Sequence, residues 1–173
     1  TALFSHTAGM LSNPHATDLE HGLDVVALAK LFEDLGKWDD AARLYERGLE
    51  LGAAASPTGD APEPGPASSI VPLPEPSFWE ALRRLSVLQR RRGDLEAAVR
   101  LWEKAASEGH IYAHVELSKH YEHRQRDYRE AYRWAKSAWE LAQAPTLPVY
   151  IRQHWQAEIQ KRLTRLEKRV KPG

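Results

Sequence analysis

The chain has 173 residues, which is enough for one domain with a buried core. Its 24 basic residues equal its 24 acidic residues, so no net field favours nucleic acid or an anionic membrane. The absence of cysteine excludes disulfides and thiolate metal sites and is typical of a cytoplasmic protein. No apolar run approaches the roughly 18 residues of a membrane span. Because the chain starts at Thr1 without a signal-peptide pattern, we expect a piece trimmed from a longer protein.

Residues 1–12 are predicted to form a leading helix that Asn13-Pro14 ends. The apolar residues at helical spacing in this segment are Leu3, Phe4, Ala8 and Leu11.

Residues 18–51 are predicted to form a helical hairpin. A capping-box pattern over residues 17–20 starts its first helix. Gly36 ends that helix, because glycine adopts the left-handed cap conformation at little cost. The second helix covers about residues 39–51. The apolar set of the first helix is Val25, Leu28, Ala29, Leu31 and Phe32.

Residues 52–77 are rich in proline, alanine, serine and glycine, and we expect a flexible insertion without a regular element. It is either a linker without a partner or a docking segment. A second capping box over residues 77–80 restarts the helix.

Residues 78–108 are predicted to form a second hairpin that repeats the first. Leu28, Gly36, Ala41 and Tyr45 align with Leu85, Gly93, Ala98 and Trp102. A third hairpin covers residues 111–142, but its turn over residues 123–127 lacks glycine and is one residue longer. Residues 148–170 are predicted to form a capping helix. Its apolar stripe is Trp155, Ile159, Leu163, Leu166 and Val170.

These hairpins resemble the tetratricopeptide repeat (TPR), a helix–turn–helix unit of about 34 residues. The resemblance is carried by LGKWDDAARLYERGLE and RGDLEAAVRLWEKAASE, although Ala53 and His110 stand where this family often has proline. It implies an all-α fold in which about three hairpins stack as a right-handed α-solenoid, forming a single domain over residues 1–173. It also implies a non-catalytic module that binds a protein or peptide.

The first helix of each repeat lines the concave groove in this family, so the resemblance assigns candidate groove residues. They are Lys30, Glu33, Arg83, Arg90, Arg91, Tyr112, Lys119, Glu122 and His123. Arg83, Arg90 and Lys119 would form a basic patch for acidic peptide or phosphate, or else a solvated face whose charges pair with nearby glutamates. The carboxylate clamp of some family members is not matched, since Val26 stands in place of its lysine.

The capping helix also presents a basic face, which is either a solvated cap or a surface for nucleic acid or an acidic partner. Its candidate residues are Lys161, Arg162, Arg165 and Arg169.

No phosphate loop, nucleophile elbow, dinucleotide fingerprint or zincin motif is present, and we predict neither a catalytic residue nor a cofactor. His110 and His114, like His120 and His123, have the spacing of metal-ligand pairs. No nearby carboxylate completes a three-ligand set, so we predict hydrogen-bonding histidines and no metal site.

The order of segments is also similar to the C-terminal half of bacterial YprB-type ribonuclease-H-like proteins. ALFSHTAGMLSNP and HVELSKHYEHR carry part of this resemblance. It implies that residues 1–11 continue a nuclease domain whose catalytic acids lie upstream, and that this chain supplies substrate or partner binding. Accessory nucleic-acid binding is the alternative function. The oligomeric state is not predicted.

Overall fold

The computed structural model describes residues 21–54 and 73–170, and every regular element in these ranges is a helix. The leading helix, the first capping box and residues 55–72 of the insertion lie outside them. The described helices are α1 (Gly22–Asp34), α2 (Trp38–Ala54), α3 (Glu75–Arg92), α4 (Leu95–Ser107), α5 (Ile111–His120), α6 (Tyr128–Leu141) and α7 (Val149–Val170). The chain divides into two compact units, Thr1–Asp94 and Leu95–Gly173, here called the first and second units. The single domain over residues 1–173 stays a prediction.

In the first unit, α1 and α2 cross closely because glycines stand at the contact. A Cβ on Gly48 of α2 would lie 2.8 Å from Cγ2 of Val26 on α1. A second close contact joins α2 to the residues before α3, where a Cβ on Gly52 would lie 2.7 Å from Cβ of Leu73. Leu73 is buried although it belongs to the predicted insertion. The last residues before α3 are therefore packed against the first hairpin.

Two predicted helix starts are wrong. α1 begins at Gly22 after His21, which has extended backbone angles and no side-chain cap hydrogen bond. α3 begins at Glu75 after Pro74, which is the N-cap residue, and Pro76 lies in the first turn, where its missing N–H costs nothing. The insertion is also shorter than predicted, since α2 continues to Ala54.

The turns explain how the hairpins tolerate one irregular repeat. After α1 and α3, Gly36 and Gly93 adopt left-handed angles with φ of 73° and 85°. In the third hairpin Arg126 takes that conformation with φ of 56°. A π-helical turn, Tyr121–Gln125, accommodates the extra residue. The N–H of Asp127 donates a hydrogen bond to the carbonyl oxygen of Tyr121 at 3.0 Å. Asp127 then caps α6.

The second unit packs α7 onto the hairpin of α5 and α6. Ile159 of α7 is buried with Ile111, Val115, Ala138 and Ala142. Leu166, two turns further on, is buried with Ala131 and Ala135. Small alanines on α6 let the larger side chains of α7 approach, as the apolar stripe of the capping helix predicts.

Candidate functional site

A cleft of about 270 Å³ lies in the first unit between α1, α2 and the start of α3. We call it the α1–α3 cleft. Both apolar and charged side chains line it. The lining residues are Val26, Lys30, Tyr45, Pro76, Ser77, Glu80, Ala81 and Arg84.

A chain of hydrogen bonds runs along one wall of the cleft and joins all three helices. The hydroxyl of Tyr45 donates to Oε2 of Glu33 at 2.9 Å, and Nη1 of Arg84 donates to the same oxygen at 3.1 Å. Nε of Arg84 also donates to Oε1 of Glu80 at 2.8 Å. The carboxylate of Glu33 therefore holds the tyrosine from α2 and the arginine from α3 in fixed positions.

Burial shapes the protonation of this network. The pKa of the Tyr45 hydroxyl is raised well above its usual range, first by burial and then by the hydrogen bond to Glu33. Tyr45 therefore remains a hydrogen-bond donor at neutral pH. Burial alone would lower the pKa of Arg84, but the hydrogen bonds to Glu33 and Glu80 together with the charge of Glu33 and the interaction with Tyr45 outweigh burial, and the pKa of Arg84 is raised. The guanidinium of Arg84 therefore stays charged, and it is paired with the carboxylates of Glu33 and Glu80.

A second hollow, of about 570 Å³, lies in the first unit near the turn between α1 and α2. Nε of Arg92 pairs with Oδ1 of Asp39 at 2.9 Å, and the guanidinium of Arg91 lies 5.2 Å from the ring centre of Trp38. These contacts place the basic end of α3 against the acidic first turn of α2, where both helix dipoles favour the pairing.

The predicted groove residues of the first unit have different positions. Lys30 lines the α1–α3 cleft, and Glu33 belongs to its hydrogen-bond chain. Arg83, Arg90 and Arg91 are exposed but do not line the cleft.

Sequence reasoning missed Arg84, which enters the cleft one residue after Arg83. The Glu80–Arg84 spacing of four residues, which is favourable on a helix, was the available signal.

The predicted groove residues of the second unit do not line one cleft. Tyr112 is half-buried beside the ring of His110. Lys119 pairs with Glu116 at 2.8 Å and with Glu158 at 3.5 Å. His123 is largely exposed.

Glu122 is buried, and its place in an open groove is a wrong prediction. Its carboxylate accepts from Nη1 of Arg162 at 2.5 Å and from Nε and Nη2 of Arg165 at 2.7 and 2.8 Å. We call these three residues the Glu122 latch. Burial would raise the pKa of Glu122, but hydrogen bonds from Arg165 and the charge of Arg162 hold it below its ordinary value.

The latch also corrects the predicted basic face of α7. Arg162 has a side chain only 10% exposed and faces Glu122, so it is not part of an open surface. Arg165 is half-exposed and shares the same carboxylate. Lys161 and Arg169 are exposed, and Arg169 lies 5.5 Å from the ring centre of Tyr128.

Of the histidines with metal-ligand spacing, His114 has a hydrogen-bonding and a ring contact within its own unit. Nδ1 of His114 lies 3.1 Å from the carbonyl oxygen of His110, and its ring packs edge-on against Trp134. Burial lowers the pKa of His114 and of His120. Among residues 21–54 and 73–170, no three metal-ligating side chains come together. None of the helices in these ranges is both long and apolar enough to span a membrane.

Comparisons with known proteins support the fold of the described helices. Residues 25–54 match the tetratricopeptide repeat family. The match covers most of α1 and all of α2, which form two sides of the α1–α3 cleft.

Among solved structures, the crystal structure of PcrH from Pseudomonas aeruginosa is similar, with a TM-score of 0.56 and 16% identity over 84% of this chain and 91% of that chain. No curated protein matches the sequence. The prediction of an all-α fold of TPR-like hairpins is confirmed. Helical repeats of this kind serve as binding scaffolds.

Proposed function

We propose that this chain is a non-catalytic TPR interaction module that binds a segment of a partner protein in the α1–α3 cleft. The observation that carries the proposal is the position of the cleft. It opens on the repeat that matches the family, and its wall combines apolar surface with fixed charges.

The chemistry of the cleft suggests what its ligand contains. Val26, Pro76 and Ala81 offer apolar surface, and about 270 Å³ is enough for one or two side chains of a peptide. Lys30 and Arg84 carry positive charge and Glu80 carries negative charge around that surface. The expected ligand is therefore an extended segment with an apolar anchor and charged residues of both signs beside it.

Selection from a random-peptide phage library tests this proposal. We expect peptides that bind the wild-type chain and lose at least about tenfold in affinity when Lys30→Glu and Glu80→Lys are combined. Arg43→Glu with Glu50→Lys is the matched control, because both residues are exposed on α2 and neither lines the cleft. Failure to select any peptide, or equal binding to both double variants, contradicts the proposal.

We further propose that the module serves a ribonuclease-H-like nuclease, as the resemblance of its segments to YprB-type proteins implies. Hydrolysis of single-stranded DNA and RNA is the test. This chain alone should not cleave either substrate, whereas a longer native protein containing it should. Absence of cleavage by the longer protein would contradict the association.

The accessory nucleic-acid-binding alternative depends on residues that remain outside the Glu122 latch. Arg162 and Arg165 already pair with Glu122. Exposed cations of the two predicted basic surfaces are Lys161, Lys168 and Arg169 on α7 and Arg83, Arg90 and Arg91 on α3. Binding of single-stranded RNA through these surfaces should weaken as salt is added, with a logarithmic slope of about 0.7 for each phosphate contacted. Such a slope would favour this alternative over peptide binding, and no detectable binding at low salt would contradict it.

A further inference from the structure

The core of the third hairpin contains a titratable side chain at a position where the other two hairpins have aliphatic ones. Counting back three residues from the aligned leucines of the first two hairpins, and from Leu117 of the third, gives Val25, Leu82 and His114. All three are buried, at 0%, 1% and 5% exposed. His114 therefore occupies a core position that the repeat otherwise fills with an apolar residue.

The contacts of His114 fit a neutral imidazole. Nδ1 lies 3.1 Å from the carbonyl oxygen of His110, so a proton on Nδ1 is donated to that oxygen. The ring packs edge-on against Trp134 of α6, with the ring centres 5.4 Å apart. The next residue along α5, Val115, belongs to the apolar cluster that contains Ile159 of α7. His114 therefore joins α5 to α6 beside the contact with α7.

A protonated ring would lack a partner at this position. Protonation adds a positive charge and a second N–H, and none of the residues that the structure describes provides a second acceptor. Burial lowers the pKa of His114, and the hydrogen bond to the carbonyl of His110 only partly opposes this. A charge that is buried without a partner destabilises the folded state.

The charged groups around α5 do not offset that cost. None of them shifts the pKa of His114. They are Glu103 on α4, Glu116 and Lys119 on α5, Glu130 and Arg133 on α6, and Glu158 on α7. The ring of His110 lies beside Tyr112. His120, at the end of α5, responds in the same direction as His114, because burial and then Arg124 lower its pKa while Glu103 raises it.

We propose that His114 makes the second unit sensitive to mild acid, because the neutral ring completes the core between α5 and α6 and protonation loosens these helices from each other. Since Val115 on the same helix packs with Ile159, the loosening also weakens the packing of α7. Among the described residues of the first unit, the single histidine is His21, which is exposed. The sensitivity is therefore a property of the second unit and is separate from peptide binding in the α1–α3 cleft.

The lowered pKa sets the direction and the pH window of the effect. The unfolded chain binds the proton of His114 more tightly than the folded chain does. The contribution of the neutral ring is fully present above the unfolded pKa of about 6.5 and is lost progressively as pH falls toward the lowered folded value. Within this window, one histidine raises the equilibrium constant for unfolding by at most about tenfold per pH unit.

An NMR titration of the histidine rings in the full wild-type chain tests the protonation step. With the ring signal of His114 assigned through its backbone, we expect a folded-state pKa below about 6.5. A value at or above about 6.5 overturns the proposal and would mean that the Trp134 ring stabilises the charged imidazole.

Urea unfolding at about pH 7.5 and about pH 5.5, followed through the methyl NMR signal of Val115, tests the structural consequence. In His114→Leu, which restores the residue type of the second hairpin, the unfolding constant should rise less between the two pH values than in the wild type. The remaining rise reports His120. His154→Leu is the matched control, because His154 is exposed on α7, and it should keep the pH dependence of the wild type.

Equal pH dependence in the wild type and in His114→Leu contradicts the assignment to this residue. If His114→Leu does not fold, the NMR titration of the wild-type chain still decides the question. His114→Leu should bind a selected peptide as the wild type does, since His114 does not line the α1–α3 cleft, so the two proposals can fail separately.

Discussion

The two units use the same chemistry in opposite ways. In each, a glutamate accepts hydrogen bonds from an arginine that lies about 40 to 50 residues later in the chain. Glu33 belongs to α1, and Glu122 belongs to the π-helical turn after α5. In the first unit, Glu33 and Arg84 stand at the wall of an open cleft, with side chains 20% and 30% exposed. In the second unit, Glu122 and Arg162 are almost completely enclosed. Burial decides whether an ion pair shapes a binding surface or fastens one helix to another.

The largest expected effect comes from breaking the Glu122 latch. Glu122→Ala leaves the buried guanidinium of Arg162 without its carboxylate, which should lower the free energy of unfolding by about 3–5 kcal/mol. Urea unfolding measures the change. Glu130→Ala, which removes a pair with the 77% exposed Arg133, should cost less than about 1 kcal/mol. Equal losses in the two variants would mean that the latch is not a buried structural pair.

The latch also predicts a dependence on pH. Because the folded-state pKa of Glu122 lies below its ordinary value of 4.5, its contribution is fully present above that value and is lost as pH falls through the lowered pKa. The difference in unfolding free energy between wild type and Glu122→Gln should therefore be constant near neutral pH and shrink below about pH 4.5. Urea titrations at several pH values measure it. A difference that grows with acidity has the opposite sign and contradicts this account.

A smaller effect is expected at the cleft wall of the first unit. Tyr45→Phe removes the hydroxyl that donates to Glu33 while Arg84 keeps its contact with that carboxylate. A hydrogen bond to a charged group contributes about 1.5–3 kcal/mol, which sets the expected loss of stability. Tyr150→Phe, at a tyrosine 73% exposed, should be nearly neutral. If both variants unfold like the wild type, the hydrogen-bond chain is not a stabilising element.

The smallest effects concern the turns. Arg126 holds a left-handed conformation that costs a non-glycine residue roughly 1–2 kcal/mol. Arg126→Gly should therefore stabilise the second unit by about 0.5–1 kcal/mol after the added freedom of the unfolded chain is subtracted. Gly36→Ala, at a φ of 73°, should destabilise the first unit by a similar amount. Thermal unfolding of both variants compares the turns directly. Changes of the same sign would contradict the assigned conformations.

The sequence predicted the helical hairpins because apolar periodicity is a local property. Leu82, Leu85 and Leu88 recur on one face of α3, and all three are buried. The apolar stripe of α7 was likewise predicted from the spacing of its residues. Glycine positions also predicted where α1 and α3 end.

The site was harder to predict, because it depends on which charged side chain meets which neighbour. Adjacent arginines such as Arg83 and Arg84 are chemically equivalent in the sequence, and only the rotation of α3 places the second in the cleft. Likewise, Glu122 and Arg162 are 40 residues apart, and no local pattern indicates their contact. The start of α3 was missed because Pro74 and Pro76 were assigned to the insertion, although Pro74 is the N-cap residue and Pro76 fits the first turn of the helix.

Site-specific photo-crosslinking tests the central claim most directly. A photoreactive amino acid at Ser77, inside the α1–α3 cleft, is compared with the same amino acid at Arg43 on the exposed side of α2. With a peptide selected on the wild-type chain, the account predicts a crosslink from position 77 and none from position 43. A crosslink from position 43 alone, or none from position 77 while the peptide still binds, would contradict binding in the cleft.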